Sequence, residues 1–168
     1  MKWVCMILAA LLLTGCSEPE SFETMSDNYV EETRPQAQET SFWLPQGAAL
    51  MTSTTETGAQ LYECEGFTAW TQVFASGDLD ATLEAVTGQD PGRIQRICRK
   101  SSQGQRSECA WACAGETGDQ VARTLVVDDG YYHYTLTVMA PAENAGDLAL
   151  TWQDMFQSFR LGEKIAQK

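Results

Sequence analysis

Four of the six cysteines, the one histidine and five closely spaced bases are the residues of the domain whose types and spacing can carry chemistry. Structural zinc asks for two close cysteine pairs, but among Cys64, Cys98, Cys109 and Cys113 only Cys109-x₃-Cys113 is close, and the Cys-x-x-Cys redox motif is absent. Cys109, Trp111 and Cys113 alternate with Ala110 and Ala112, so on a strand all three face one way. The alpha carbons of Cys109 and Cys113 then stand about 13 Å apart, beyond the roughly 7 Å that a disulfide spans. With Gln103-Gly104 as the loop of a two-residue hairpin, Cys98 faces Cys109. The expected disulfide is therefore Cys98–Cys109, leaving Cys64 and Cys113 as candidates for a second.

His133, the single histidine, stands in Tyr131-Tyr132-His133-Tyr134. Imidazole titrates near neutrality and can serve as a base, yet no Gly-x-Ser-x-Gly elbow supplies a nucleophile. The pattern reads as an aromatic strand with His133 half exposed, Tyr131 beside it, and Tyr132 and Tyr134 on the opposite face. Arg93, Arg96, Arg99, Lys100 and Arg106 put five bases into one hairpin of a chain with net charge −12. That local reversal is a candidate patch for an anionic ligand, although charge also protects an edge hairpin from aggregation. Asp128-Asp129-Gly130 reads as a hairpin turn, because no calcium-loop spacing accompanies it. Phosphate loops and dinucleotide fingerprints are absent, so no metal or cofactor is expected.

The elements that must position these residues fall between 42 and 162, the length of one domain. Leu61–Ala75 reads as one strand or two, broken at Gly66. Asp78 caps a short helix with Leu79, Leu83 and Val86 on one face and Gly88 as its stop. Hairpins follow: Arg93–Lys100 with Arg106–Ala114, then Gln120–Val127 with Tyr131–Ala140. Leu148, Trp152, Met155, Phe156 and Phe159 form one apolar stripe of a last helix, with Asp147 placed to cap it. The expected fold is α+β: an antiparallel sheet of about five to six strands with a short helix and a C-terminal amphipathic helix packed on it. This order, ending in Trp152-x-x-Met155-Phe156-x-Ser158-Phe159-Arg160-Leu161, resembles the PsbP-like α/β/α sandwich domains. That resemblance implies an accessory or binding protein rather than an enzyme.

The N-terminus addresses location. Lys2 precedes an apolar run, Trp3 to Leu13, that is too short for a membrane span of about 20 residues. Leu13-Thr14-Gly15-Cys16 closes it and resembles a bacterial lipobox. The resemblance implies cleavage after residue 15 and diacylglycerol on the Cys16 thiol. Residues 16–41 then form a lipidated, acidic, disordered tether, since Ser17 to Ser41 carries seven acids against Arg34 alone. Residues 163–168 are a tail. Loss of Lys2 with the leader takes the formal charge from −12 to −13. Such a chain is repelled by nucleic acid, so the expected partners are the lipid bilayer, through acyl chains on Cys16, and an envelope protein or small ligand. The expected role is a non-catalytic binding lipoprotein on the extracytoplasmic face of the cell membrane, the alternative being an envelope hydrolase acting on wall or exported substrates.

Overall fold

A computed structural model describes residues 35–54, 59–101, 103–116 and 118–162. The leader, Cys16, the tether as far as residue 34 and the tail from residue 163 lie outside the described residues. The compact unit begins at Gln36, ahead of Phe42. Its first residues have partners: the Gln38 backbone N–H donates to the Tyr134 hydroxyl at 3.0 Å, and β1 (Thr40–Ser41) pairs antiparallel with β9 (Arg160–Leu161).

The main sheet holds seven antiparallel strands, more than expected. They are β2 (Ala49–Ser53), β3 (Gln60–Cys64), β4 (Phe67–Ala75), β5 (Gln95–Ser101), β6 (Gly104–Gly115), β7 (Gly118–Asp128) and β8 (Tyr132–Pro141). Their spatial order is β2-β3-β4-β8-β7-β6-β5. The added strand is β2, whose five residues are all exposed. Lacking a buried face it has no alternation to read, and a register irregularity between Leu50 and Thr52 interrupts its pairing with β3. Gly66, at φ 78°, turns the chain between β3 and β4, so Leu61–Ala75 is two strands.

Helix α1 (Leu79–Thr87) lies against one face and α2 (Ala149–Ser158) against the other. Asp78 accepts from the Asp80 N–H, and Gly88 at φ 66° returns its N–H to Glu84, so both expected caps of α1 are made. Asp147 does not cap α2. Leu148 holds the N-cap position in a helical conformation without a side-chain bond, whereas a capping side chain needs an extended residue there. Consecutive turns over residues 142–148 wind directly into the helix instead.

The larger core lies on the α2 side. Trp152, Met155, Phe156 and Phe159 are buried against Phe67, Ala69, Leu125, Val127, Tyr134, Leu136, Val138 and Ala140. Each large side chain so buried contributes roughly 1.5–3 kcal/mol, which is why α2 holds although its N-terminus lacks a side-chain cap. The α1 side is smaller: Leu83, Ile94, Cys109 and Val126, with Leu79 and Trp111 at its margin. Among the described residues no helix is long and apolar enough to cross a membrane.

Candidate functional site

The β5–β6 hairpin decides where the cysteines and bases go. Its pairing closes at Ser101 opposite Gly104, not across Gln103-Gly104. Gly104 is needed within the strand: its φ is +121°, and a Cβ there would stand 1.9 Å from the Asp128 carbonyl oxygen. Moving the loop by one residue moves every partner by two and keeps each side chain on its expected face. Cys98 therefore opposes Ser107, and Cys109 opposes Arg96. The Ser107 hydroxyl donates to the Cys98 sulfur at 3.2 Å.

Cys64, Cys98, Cys109 and Cys113 are all free thiols. Cys64 on β3 and Cys113 on β6 are four strand spacings apart, with β4, β8 and β7 between them. That is about 19 Å, so the second expected pairing is not available. Cys109 is buried, and its thiol pKa is pushed up to about 11 by burial, with the neighbouring Cys98 adding to the rise. Burial likewise raises Cys64. As expected, Cys109, Trp111 and Cys113 turn one way on β6; Ser107 joins them, and the Trp111 indole N–H donates to the Thr124 hydroxyl at 3.1 Å. Among the described residues no three His, Cys, Asp or Glu side chains converge as metal ligands.

His133 is buried, 1 % exposed, not half exposed. It lies under α1, whose Thr82 hydroxyl is 2.7 Å from Nδ1. Its Nε2 stands 3.7 Å from Asp128 Oδ2, and Asp128 Oδ1 accepts from the Ser76 hydroxyl and the Gly130 N–H. A hydroxyl, an imidazole and a carboxylate are thus adjacent. A cleft of about 200 Å³ touches His133, Asp128, Gln105 and Ser107, but Thr82 does not line it. Its volume is also below the ~300–1,000 Å³ of ordinary ligand pockets. On the opposite face the Tyr134 hydroxyl donates to Asp129 Oδ2 at 3.1 Å. Burial would raise the Asp129 carboxyl, but donors from Tyr131, Tyr132, Gln38 and Tyr134 outweigh it and hold it below its ordinary value.

The five bases do not form one patch. Arg93 ends a 3₁₀ turn, Pro91–Arg93, before β5 begins. Arg96 and Lys100 share the face of Cys98 and Cys109, and Arg96 pairs with Asp80 of α1. Arg99 and Arg106 oppose each other on the α2 face. There Arg106 Nη2 donates to the Phe156 carbonyl at 2.6 Å. Arg160, which no sequence motif marks as a site residue, donates through Nη1 to the carbonyls of Gln157 and Phe159. Both guanidinium groups therefore meet the carbonyl end of α2, where cations are favoured. Ser101, Gln103, Arg106 and Arg160 line an open cleft of about 330 Å³. Burial lowers the Arg106 pKa, and Arg160 lowers it further against the opposing effect of Glu108. Glu108 is itself engaged by Arg123 at 3.4 Å, and Arg123 stacks over Phe156 at 5.2 Å.

No family model matches this chain, and no curated protein matches it in sequence. Solved structures match its fold. The PsbP protein of the cyanobacterium Synechocystis superposes with a TM-score of 0.55 at 9 % identity, covering 73 % of this chain and 86 % of that one. LpqN of Mycobacterium tuberculosis, described as involved in cell envelope biogenesis, gives 0.50 at 8 % identity over 82 % of this chain and 96 % of its own. A protein of Bacteroides thetaiotaomicron gives 0.52 at 8 % identity, over 77 % of this chain and 47 % of its own. The likeness to PsbP-like domains is one of fold.

Proposed function

We propose that this chain is a lipid-anchored domain of the bacterial cell envelope, held by acyl chains on Cys16 at the extracytoplasmic face of the cell membrane, and that its work is binding rather than catalysis. The observation that carries the binding reading is the closure of the His133 constellation. The hydroxyl bonded to the chain's single imidazole belongs to a helical, buried Thr82 that does not border the adjoining cleft. A hydrolase built on these groups would have to open α1 to admit its substrate. The fold shared with PsbP and with LpqN, which is involved in cell envelope biogenesis, supports the same reading. The anchoring reading rests on the lipobox-like Leu13-Thr14-Gly15-Cys16, and two acyl chains suffice for stable attachment.

Photo-crosslinking in the native host, followed by identification of covalently attached neighbours, tests the binding role. Recovery of one recurrent envelope partner or ligand is expected. Turnover of ester, amide or glycosidic substrates that is abolished by Thr82→Val and His133→Gln would establish the hydrolase instead.

A further inference from the structure

We propose that the cleft between Arg106 and Arg160 is a binding site for a phosphate-type oxyanion. The inference rests on the binding reading above and names its ligand class. Arg99 stands directly across from Arg106 on the same face, and like charges so placed destabilise a sheet. Arg160 joins Arg106 at the cleft. The carboxylate on this face nearest in register to Arg106, Glu108, is held by Arg123. Two cations, Arg106 and Arg160, thus meet at one cleft in a chain of net charge −12.

Anchoring α2 accounts for only part of what the two arginines offer. A guanidinium has five N–H donors in a planar fork. Arg106 spends Nη2 on the Phe156 carbonyl, and Arg160 spends Nη1 on Gln157 and Phe159. Both side chains line the cleft, together with Ser101 and Gln103. Two guanidinium forks match an oxyanion with several acceptor oxygens better than a single carboxylate. A volume of about 330 Å³ admits a phosphate monoester or a headgroup.

Position suggests two sources for that phosphate. Gln103 also borders a second cleft lined by Gln38, Gly104, Asp129 and Leu161, so the arginines lie at the end of the domain that residues 36–39 enter. The chain before Gln36 runs back to Cys16. A phospholipid headgroup and a soluble phosphate ester share the chemistry that this site reads.

The test is calorimetric titration of the detergent-solubilised full chain with inorganic phosphate and then glycerol 3-phosphate, at pH 7 and low salt. Saturable binding is expected, weakened about tenfold by Arg160→Gln, the loss of one charge-assisted bond pair. Arg160→Lys, which keeps the charge and removes the fork, falls between the two, and Arg96→Gln on the other face changes nothing. Arg106→Gln is the second variant, with thermal unfolding run alongside because its side chain also ties down α2. Repeating the titration in nanodiscs separates the sources. Loss of phosphate binding in discs of phosphatidylglycerol or phosphatidylcholine, relative to detergent, assigns the site to a headgroup; binding in both discs equal to that in detergent assigns it to a soluble ester. Absence of saturable binding up to about 20 mM, or binding that survives both Arg160→Gln and Arg106→Gln, overturns the proposal. Titration in detergent does not require acylation of Cys16, so a missing anchor and a missing site give separate results.

Discussion

Gly104→Ala is the substitution that most directly probes how this fold sets the register of its chemical groups. A Cβ at residue 104 would lie 1.9 Å from the Asp128 carbonyl oxygen and 2.9 Å from the Asp128 carbonyl carbon, both backbone atoms, and the residue's φ of +121° is itself hostile to a side chain. Relieving the collision means parting the start of β6 from the end of β7, where Gln105 pairs with Asp128. Overpacking of this kind costs about 1–3 kcal/mol, and an unfavourable positive φ adds roughly 1–2 kcal/mol. The expected loss is about 2–5 kcal/mol, a large fraction of the ~5–15 kcal/mol that holds a domain together. In urea, followed by tryptophan fluorescence, the midpoint should fall by roughly 1–3 M at an m-value near 1.5 kcal/mol/M. Gly130→Ala is the control, because Gly130 also has a positive φ, 92°, but an added Cβ meets nothing within 4 Å. Its loss should be about 1–2 kcal/mol. Equal losses at the two glycines, or a loss under about 1 kcal/mol at Gly104, would refute the claim that close approach to Asp128 fixes the hairpin.

Tyr134→Phe removes a hydroxyl that donates to Asp129 and accepts from Gln38, and should cost about 1–2 kcal/mol near neutrality. The cost depends on pH at both ends. The Asp129 carboxyl is held below its ordinary 3.8, so its stabilisation is complete above that value and lost as pH falls through the depressed one. Burial pushes Tyr134 from 10.0 up to about 12, so its share is present below pH 10 and lost as pH rises toward 12. The gap between wild type and variant should therefore be widest between these limits; a gap constant from pH 3 to 12 would contradict the network. Thr71→Val should stabilise by about 1 kcal/mol, because the buried Thr71 hydroxyl has no partner among the described residues; destabilisation in thermal unfolding would show that it has one. With a thiol reagent at pH 8 and no denaturant, exposed Cys98 should react first, while Cys64 and Cys109, buried and raised, react only on unfolding. Uniform rates, or no reactive thiol at Cys98, would contradict the assignment.

What the sequence disclosed is what periodicity and turn chemistry encode locally. The stripe of Trp152, Met155, Phe156 and Phe159, the Asp78 and Gly88 caps and the shared face of Cys109 and Trp111 are all legible because each depends on neighbours a few residues away. Strand β2 was not, since an exposed edge strand has no buried period. The hairpin register was missed because Gly104 answers to Asp128, more than twenty residues downstream and on another strand, rather than to its own loop. For the same reason the cysteine partners shifted, and the five bases separated onto two faces and a turn. Arg160 left no signal as a site residue; its cleft exists only once α2 is laid across the sheet so that its last carbonyls face Arg106. His133 sits under α1 because α1 brings Thr82 to it, a tertiary contact spanning 51 residues.

Intact-mass and N-terminal peptide mass spectrometry of the protein isolated from membranes of its native host tests where this domain is fastened. The expected species begins at Cys16, lacks residues 1–15 and carries the mass of a diacylglyceryl group on the thiol. A chain that retains Met1 or Lys2, or that begins at Cys16 with an unmodified thiol, would contradict it.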